Sequence, residues 1–166
     1  MRTLLAGGAL AALVMSLAAC GGASARSTSQ ETLQRQADFY AIDGIEKKFH
    51  RATSKHDIDL MMSLWALSAT FTTKPGQTLT GKRQIRDFWL AAPAFQPDNH
   101  WVSDTSAYKI RMTVNGDRGT LHFECHYIDS RTHELGPITA ADQQVARIDG
   151  RWLIMDMVGG TATLKP

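Results

Sequence analysis

The sequence predicts an α+β domain: helices arrive first, and a curved antiparallel sheet arriving later wraps around them. Three observations carry this. Up to about Trp89 apolar residues recur mainly at three- and four-residue steps, and from about Trp101 they recur at two-residue steps, so the period passes once from helical to extended. Asp149-Gly150 stands between two apolar-rich runs, the strongest short-range pattern for a tight β-hairpin. The chain of 166 residues suits one domain and is short for two. Helices followed by a run of strands argue one sheet covered by helices on one face.

The first residues read as a targeting segment. Met1-Arg2-Thr3 is a thin positive start, and Leu4 to Ala19 is an uncharged apolar run, too short and too rich in small residues for a comfortable membrane span. It ends in Leu17-Ala18-Ala19-Cys20, which resembles the lipobox of bacterial lipoproteins. There the cysteine receives a diacylglyceryl thioether and cleavage falls just before it. The resemblance implies lipidation at Cys20, palmitate included, and a place in the cell envelope. The domain would be tethered to the outer side of the cytoplasmic membrane or to the outer membrane. Several acyl chains at about 0.8 kcal/mol per buried CH₂ anchor stably where one is marginal. The alternative is an ordinary secretory signal whose cleavage site holds a cysteine. Residues 1–19 are therefore read as signal peptide, 20–37 as a lipid-anchored flexible tether rich in Gly, Ala, Ser, Thr and Gln, and 38–166 as the folded domain. With Cys20 lipidated, Cys125 is the remaining thiol and no intramolecular disulfide forms. It sits in a strand pattern and reads as buried filler, not as a nucleophile.

Asp38 to Ser54 is the first helix. Phe39, Ile42, Ile45, Phe49 and Ala52 form its apolar stripe, Asp38 caps its start, and Glu46, Lys47, Lys48 and Arg51 take the wet side. Asp57 caps a second helix whose Ile58, Met61, Met62, Leu64 and Trp65 make it apolar on more than one side. Ala69 to Thr73 is a short strand, Lys74-Pro75-Gly76 a turn, and Gln77 to Thr80 a second extended piece. Thr80 caps a third helix with Ile85, Phe88 and Trp89, and Pro93 and Pro97 end it. Trp101 to Val114 is a long strand with Tyr108, Ile110, Met112 and Val114 on one face, turned by Asn115-Gly116-Asp117. Leu121, Phe123, Cys125 and Tyr127 then alternate with His122, Glu124, His126 and Ile128. Ile138 leads into the closing hairpin, where Val145 and Arg147 share a face with Trp152 and Ile154. The net charge is +2, and near +1 once Arg2 is removed, so the basic excess of a nucleic-acid binder is missing.

Taken together, Phe49-x-x-Ala52, Asp57 to Trp65, Ala69-Thr70-Phe71, Gly81-x-x-x-Ile85-x-x-Phe88-Trp89, His100-Trp101-x-Ser103, Val114 to Asp117 and Asp149-Gly150-Arg151-Trp152-x-Ile154 resemble the SnoaL-like branch of the nuclear-transport-factor-two-like superfamily. The likeness implies a cystatin-like α+β cone, a strongly bent sheet around three helices, holding an apolar pocket. Members include isomerases, dehydratases and cyclases as well as non-catalytic binding modules, so fold alone does not choose among them. Two departures bear on chemistry. Thr73 stands where similar ketosteroid isomerases carry a catalytic aspartate, and a hydroxyl without a base cannot abstract a proton at neutral pH. Ser68 stands where many members carry an acid.

The resemblance places a pocket histidine near His100, either as general acid–base or ligand donor or as a loop-end side chain bonded to backbone. Asp156 faces the pocket if its strand stays regular, and faces away if one bulge intervenes. Tyr40, Trp65, Phe71, Trp89 and Tyr127 are the expected cavity aromatics, each equally able to be core. His122-x-Glu124-x-His126 puts three possible metal ligands on one strand face, more simply a solvated or dimer-facing outer surface, so no metal and no cofactor is expected. Three functions remain open: a lipid-anchored module binding a small hydrophobic molecule or a protein partner; an acid–base isomerase, dehydratase or cyclase using His100 and Asp156; and a homodimer joined through the sheet face.

Overall fold

The computed structural model describes residues 22–73, 76–103 and 109–162. Its helices are α1 (Gly22–Lys55), α2 (Ile58–Ser63) and α3 (Gly81–Ala91), with a short 3₁₀ turn at Pro93–Phe95. Its strands are β1 (Trp65–Thr73), β2 (Thr78–Thr80), β3 (Trp101–Val102), β4 (Lys109–Asn115), β5 (Arg118–Asp129), β6 (Leu135–Ile148) and β7 (Arg151–Ala162).

The first helix is far longer than its apolar stripe. From Gly22 onward the segment expected to be a flexible tether is helical, and Ser27 to Ala37 are exposed throughout. Gln30, Glu31, Leu33, Gln34 and Arg35 are good helix formers, so once Asp38 onward is nucleated by packing the helix propagates backward on propensity alone. A stripe-based reading cannot see a helix that buries nothing. Asp38 is consequently an interior residue and not a cap. Its buried carboxylate accepts hydrogen bonds from Gln34 Nε2 at 3.0 Å, Arg147 Nη2 at 2.7 Å and Trp152 Nε1 at 3.1 Å. The Arg147 guanidinium also lies over the Trp152 ring, 5.1 Å from its centroid. This cluster ties α1 to the last hairpin.

Asp57 does cap α2, accepting from the Leu60 amide at 2.9 Å. Trp65, expected at the end of that helix, begins β1 instead, because the Ile154 amide donates to the Leu64 carbonyl at 2.8 Å and draws the chain into the sheet. Thr80 occupies the N-cap of α3 without a side-chain bond; its own amide donates to Gln84 Oε1 at 2.9 Å. The strand expected across residues 101–114 is two strands, both on β5, with Tyr108 outside the described residues.

The sheet runs β2-β1-β7-β6-β5-β3, with β4 also on β5. It is mixed, not purely antiparallel: β1 pairs with β7 in parallel. Hairpins dictate antiparallel pairing only between strands that follow one another, and β1 and β7 are separated by most of the chain. The closing hairpin has the expected register, Ile148 opposite Arg151, Arg147 opposite Trp152 and Val145 opposite Ile154. Asp149 (φ 49°) and Gly150 (φ 74°) both take the left-handed region, as a type I′ turn demands. Beyond it the register slips: Val145 pairs with Ile154, then Gln144 with Asp156, leaving Met155 as a bulge.

Ile42, Ile45, Phe49 and Ala52 of α1, Met61 and Met62 of α2, and Ile85 and Trp89 of α3 share one core cluster with Phe71, Leu121, Phe123, Val145, Ile154 and Met157 of the sheet.

Candidate functional site

The sheet face under the helices is not completely filled. A cavity of about 400 Å³ is lined by Phe49 and Thr53 of α1, Phe71 of β1, Trp89 of α3, Ala92 to Ala94, Asn99, Trp101, Phe123 and Tyr127 of β5, Thr139 to Ala141 of β6, and Met157, Gly159 and Gly160 of β7. Local rules place each wall. Period-two alternation puts Phe123 and Tyr127 on one face of β5. The bulge at Met155 resets β7, so that Met157 and Gly159 are buried while Val158 is exposed. Phe71 and Trp89 stack with centroids 5.8 Å apart, and Phe49 meets Trp89 edge-on at 5.4 Å.

Among the described residues no formally charged side chain lines this cavity. Among the described residues its polar side chains are Thr53, Asn99, Tyr127 and Thr139, together with the indoles of Trp89 and Trp101, and Trp89 Nε1 is buried without a hydrogen-bond partner. Asn99 Nδ2 is occupied, donating to the carbonyls of Ala94 and Trp101, both at 3.2 Å. Burial pushes the Tyr127 phenol above its ordinary range, with the neighbouring Cys125 adding and a hydrogen bond with Thr53 opposing, so the hydroxyl stays neutral. A larger hollow of about 540 Å³ lies along the outer part of α1 and is lined by Tyr40, Lys47, Lys48 and Arg151 among others. All four are solvent-exposed, so the smaller, aromatic cavity is the candidate ligand site.

Of the five expected aromatics, Phe71, Trp89 and Tyr127 line the cavity. Trp65 is core, 1 % exposed and packed 5.7 Å from Phe71. Tyr40 is 80 % exposed, because α1 turns that position away from the sheet. His100 and Asp156 are not brought together, and neither lines the cavity. His100 Nε2 meets Asp129 Oδ2 at 2.9 Å, and its carbonyl accepts from the Ser130 amide at 2.9 Å. Burial pulls the Asp129 carboxyl upward, but the Arg131 and Thr132 amides and then His100 outweigh it and hold it below its usual range. His100 thus fastens the end of β5, while its neighbours Asn99 and Trp101 form cavity wall. Asp156 accepts from Thr70 Oγ1 on the face opposite Phe71 and Met157, the outcome of one bulged residue. Thr73 lies outside the lining, its hydroxyl 3.3 Å from the Gln77 carbonyl. On the outer sheet face, His122 is held between Asp142 (2.7 Å) and Glu124 (3.1 Å), so carboxylates face both ring nitrogens. Cys20 lies outside the described residues.

A second polar group was not anticipated. Glu46, assigned to the wet side of α1, is 1 % exposed, and His50 is 2 % exposed. His50 Nε2 lies 3.3 Å from Glu46 Oε1, and His50 Nδ1 lies 3.5 Å from Cys125 Sγ. The sulfur in turn lies 3.0 Å from Thr139 Oγ1 on the cavity wall. The His50 ring packs edge-on against Phe123 at 5.1 Å and Tyr127 at 6.2 Å. Burial drives the imidazole down to about 4 and the thiol up to about 11, so both rest uncharged at neutral pH. Positions 42, 46, 49, 50 and 53 fall at helical steps along the apolar stripe, and that spacing, not residue charge, is the sequence signal of their burial.

Gly136 controls one wall. A Cβ there would sit 2.5 Å from the Trp101 ring. Gly136→Ala is expected to push that indole and weaken binding of an apolar probe about tenfold, about 1.4 kcal/mol. Unchanged affinity in an equilibrium titration would remove Trp101 from the wall.

A family model described as the SnoaL-like domain matches residues 47–154. No curated protein matches the chain. Among solved structures, a protein of unknown function with a cystatin-like fold from Nostoc punctiforme aligns with TM-score 0.67 at 16 % identity, over 78 % of this chain and 95 % of its own. An NTF2-like protein from Novosphingobium aromaticivorans aligns with TM-score 0.68 at 12 % identity, over 86 % and 91 %. Hexachlorocyclohexane dehydrochlorinase LinA-type3 from Novosphingobium barchaimii aligns with TM-score 0.63 at 17 % identity, over 81 % and 93 %. At these identities the likeness is one of fold.

Proposed function

The chain belongs to the SnoaL-like domain family, and on that premise we propose that it is a lipid-anchored envelope domain that binds a small, uncharged, hydrophobic molecule. The observation that carries this is the cavity of about 400 Å³, walled by Phe49, Phe71, Trp89, Trp101, Phe123 and Tyr127, with no formally charged side chain among the described residues that line it. Such a site favours apolar surface and disfavours ions, whose desolvation no described lining residue repays with a charge. The acid–base pair first expected for an isomerase or dehydratase, His100 and Asp156, lies outside the lining, so their placement lends that reading no support.

Native mass spectrometry of the protein made in its own host tests the binding claim. A retained small-molecule mass that disappears on partial unfolding is expected; a clean apo mass, together with no uptake of added apolar compounds, would contradict it. Anchoring is tested separately. Labelled palmitate should join the wild-type chain and not Cys20→Ser, and equal labelling of both would remove Cys20 as the anchor.

A further inference from the structure

The outer side of α1 carries a pattern that neither the core nor the cavity uses. Leu33, Tyr40, Lys47, Lys48, Arg51 and Lys55 recur at steps of seven, four and three, so they share the side of the helix opposite Ile42, Phe49 and Thr53. All six are exposed, Tyr40 by 80 % and Leu33 by 65 %. Large apolar side chains standing singly on a surface are ordinary, but here two stand in line with a run of cations. The acids of the helix fall elsewhere. Asp38 and Glu46 are buried, Glu31 is in line with Ile42, and Asp43 sits at the edge of the face, paired with Lys47. Among the described residues Lys48, Arg51, Lys55 and Arg151 form no ion pair. The hollow of about 540 Å³ opens on this face. There Arg151 of the last hairpin joins Lys47 and Lys48, beside the hydroxyls of Tyr40 and Ser63, so three cations stand against the one carboxylate of Asp43.

We propose that this face of α1, with the hollow on it, docks on an anionic phospholipid surface. The proposal rests on the anchor read at Cys20, which stands two residues before the helix begins and would hold that end at a bilayer. The helix has 34 residues and at about 1.5 Å per residue is about 51 Å long, with its cations in the last third. Upright, it would carry Lys47 to Lys55 several screening lengths of about 8 Å from the lipid phosphates, where attraction is lost. Lying down, it brings every one of them within reach. Each basic side chain near an anionic surface adds to the attraction. Leu33 and the Tyr40 ring then enter the boundary between headgroups and acyl chains, while the long basic side chains keep their charges among the phosphates. Lys47, Lys48 and Arg151 around the hollow suit one phosphate headgroup, which accepts charge-assisted hydrogen bonds from all three. Among the described residues no helix is long and apolar enough to cross a membrane, so the contact is a surface one. Phe49 and Thr53 line the cavity from the opposite side of the helix, so docking turns the cavity away from the bilayer and toward the aqueous phase.

The test uses the chain purified from its own host and placed on vesicles of phosphatidylcholine, with or without phosphatidylglycerol. A nitroxide is attached through Ala37→Cys, an exposed position on the same face, and peptide mass mapping checks that the label is there. Its collisions with a water-soluble nickel chelate are expected to fall about fivefold on vesicles containing phosphatidylglycerol and to stay high on phosphatidylcholine alone. Raised salt should restore them, and so should the charge-reversed Lys47→Glu/Lys48→Glu/Arg51→Glu, whose three positions are exposed and leave the core untouched. Flotation at raised salt scores the anchor separately. If the chain floats on both kinds of vesicle but the label is equally wet on each, the docking inference alone fails. If salt strips the chain from both, the anchor reading fails and the inference loses its premise. Equal shielding of the label in wild type and the charge-reversed variant would also overturn it.

Discussion

Asp38→Ala is expected to destabilise the domain by about 2–4 kcal/mol, because it strips one buried acceptor from three donors at once. Gln34 is mobile enough to reach water, but Trp152 Nε1 is held at 3.1 Å in a buried position and Arg147 Nη2 at 2.7 Å in a partly buried one. Removing the carboxylate leaves an indole N–H unpaired and a guanidinium without its main counter-charge. The loss should appear as a melting temperature lower by roughly 5–12 °C. Asp38→Asn, which keeps one acceptor oxygen, should recover part of it. Asp117→Ala provides the contrast. It meets Arg147 Nε at 3.1 Å, but its side chain is 78 % exposed, so its loss should cost less than about 1 kcal/mol. Equal effects for Asp38→Ala and Asp117→Ala in denaturant titrations would show that the cluster does not hold α1 to the last hairpin.

The second large effect is acid sensitivity from His50. Its folded-state pKa, about 4, lies below the ordinary 6.5, so between those values the unfolded chain binds a proton that the native chain refuses. Stability from this group is full above pH 6.5 and is lost as pH falls toward 4, on the order of 3 kcal/mol in all. The groups facing the ring are Glu46 on its own helix and Cys125 and Tyr127 on β5. The thiol and phenol stay protonated throughout that window, and desolvation sets the direction. Unfolding free energies measured from pH 7 to pH 4 should fall more steeply for wild type than for His50→Gln. Parallel curves would mean that His50 is not buried neutral.

The sequence was most informative where local rules act alone. Asp149-Gly150 specified its hairpin because two successive left-handed residues can be accommodated there, and Asp57 specified the start of α2 because an N-cap is a local bond. It was silent where long-range pairing decides. Nothing near Trp65 announces a parallel partner near the other end of the chain, and nothing in Trp152 to Asp156 announces that Met155 is bulged. That single residue moved Asp156 from the expected pocket face to Thr70. Three of the cavity aromatics were legible because bulky residues at inward positions are recognisable. Glu46 and His50 were not, because their burial depends on partners supplied by α1 itself and by β5.

The central claim is that the cavity takes an uncharged apolar occupant. Equilibrium titration of the full chain with Nile red, alongside Ala94→Trp, tests it most directly, since Ala94 lines the cavity and a large indole there would fill the space. One saturable site in wild type, lost or weakened at least tenfold in a folded Ala94→Trp, is the predicted result. Equal affinity in the two proteins, or no saturable binding in either, would contradict it.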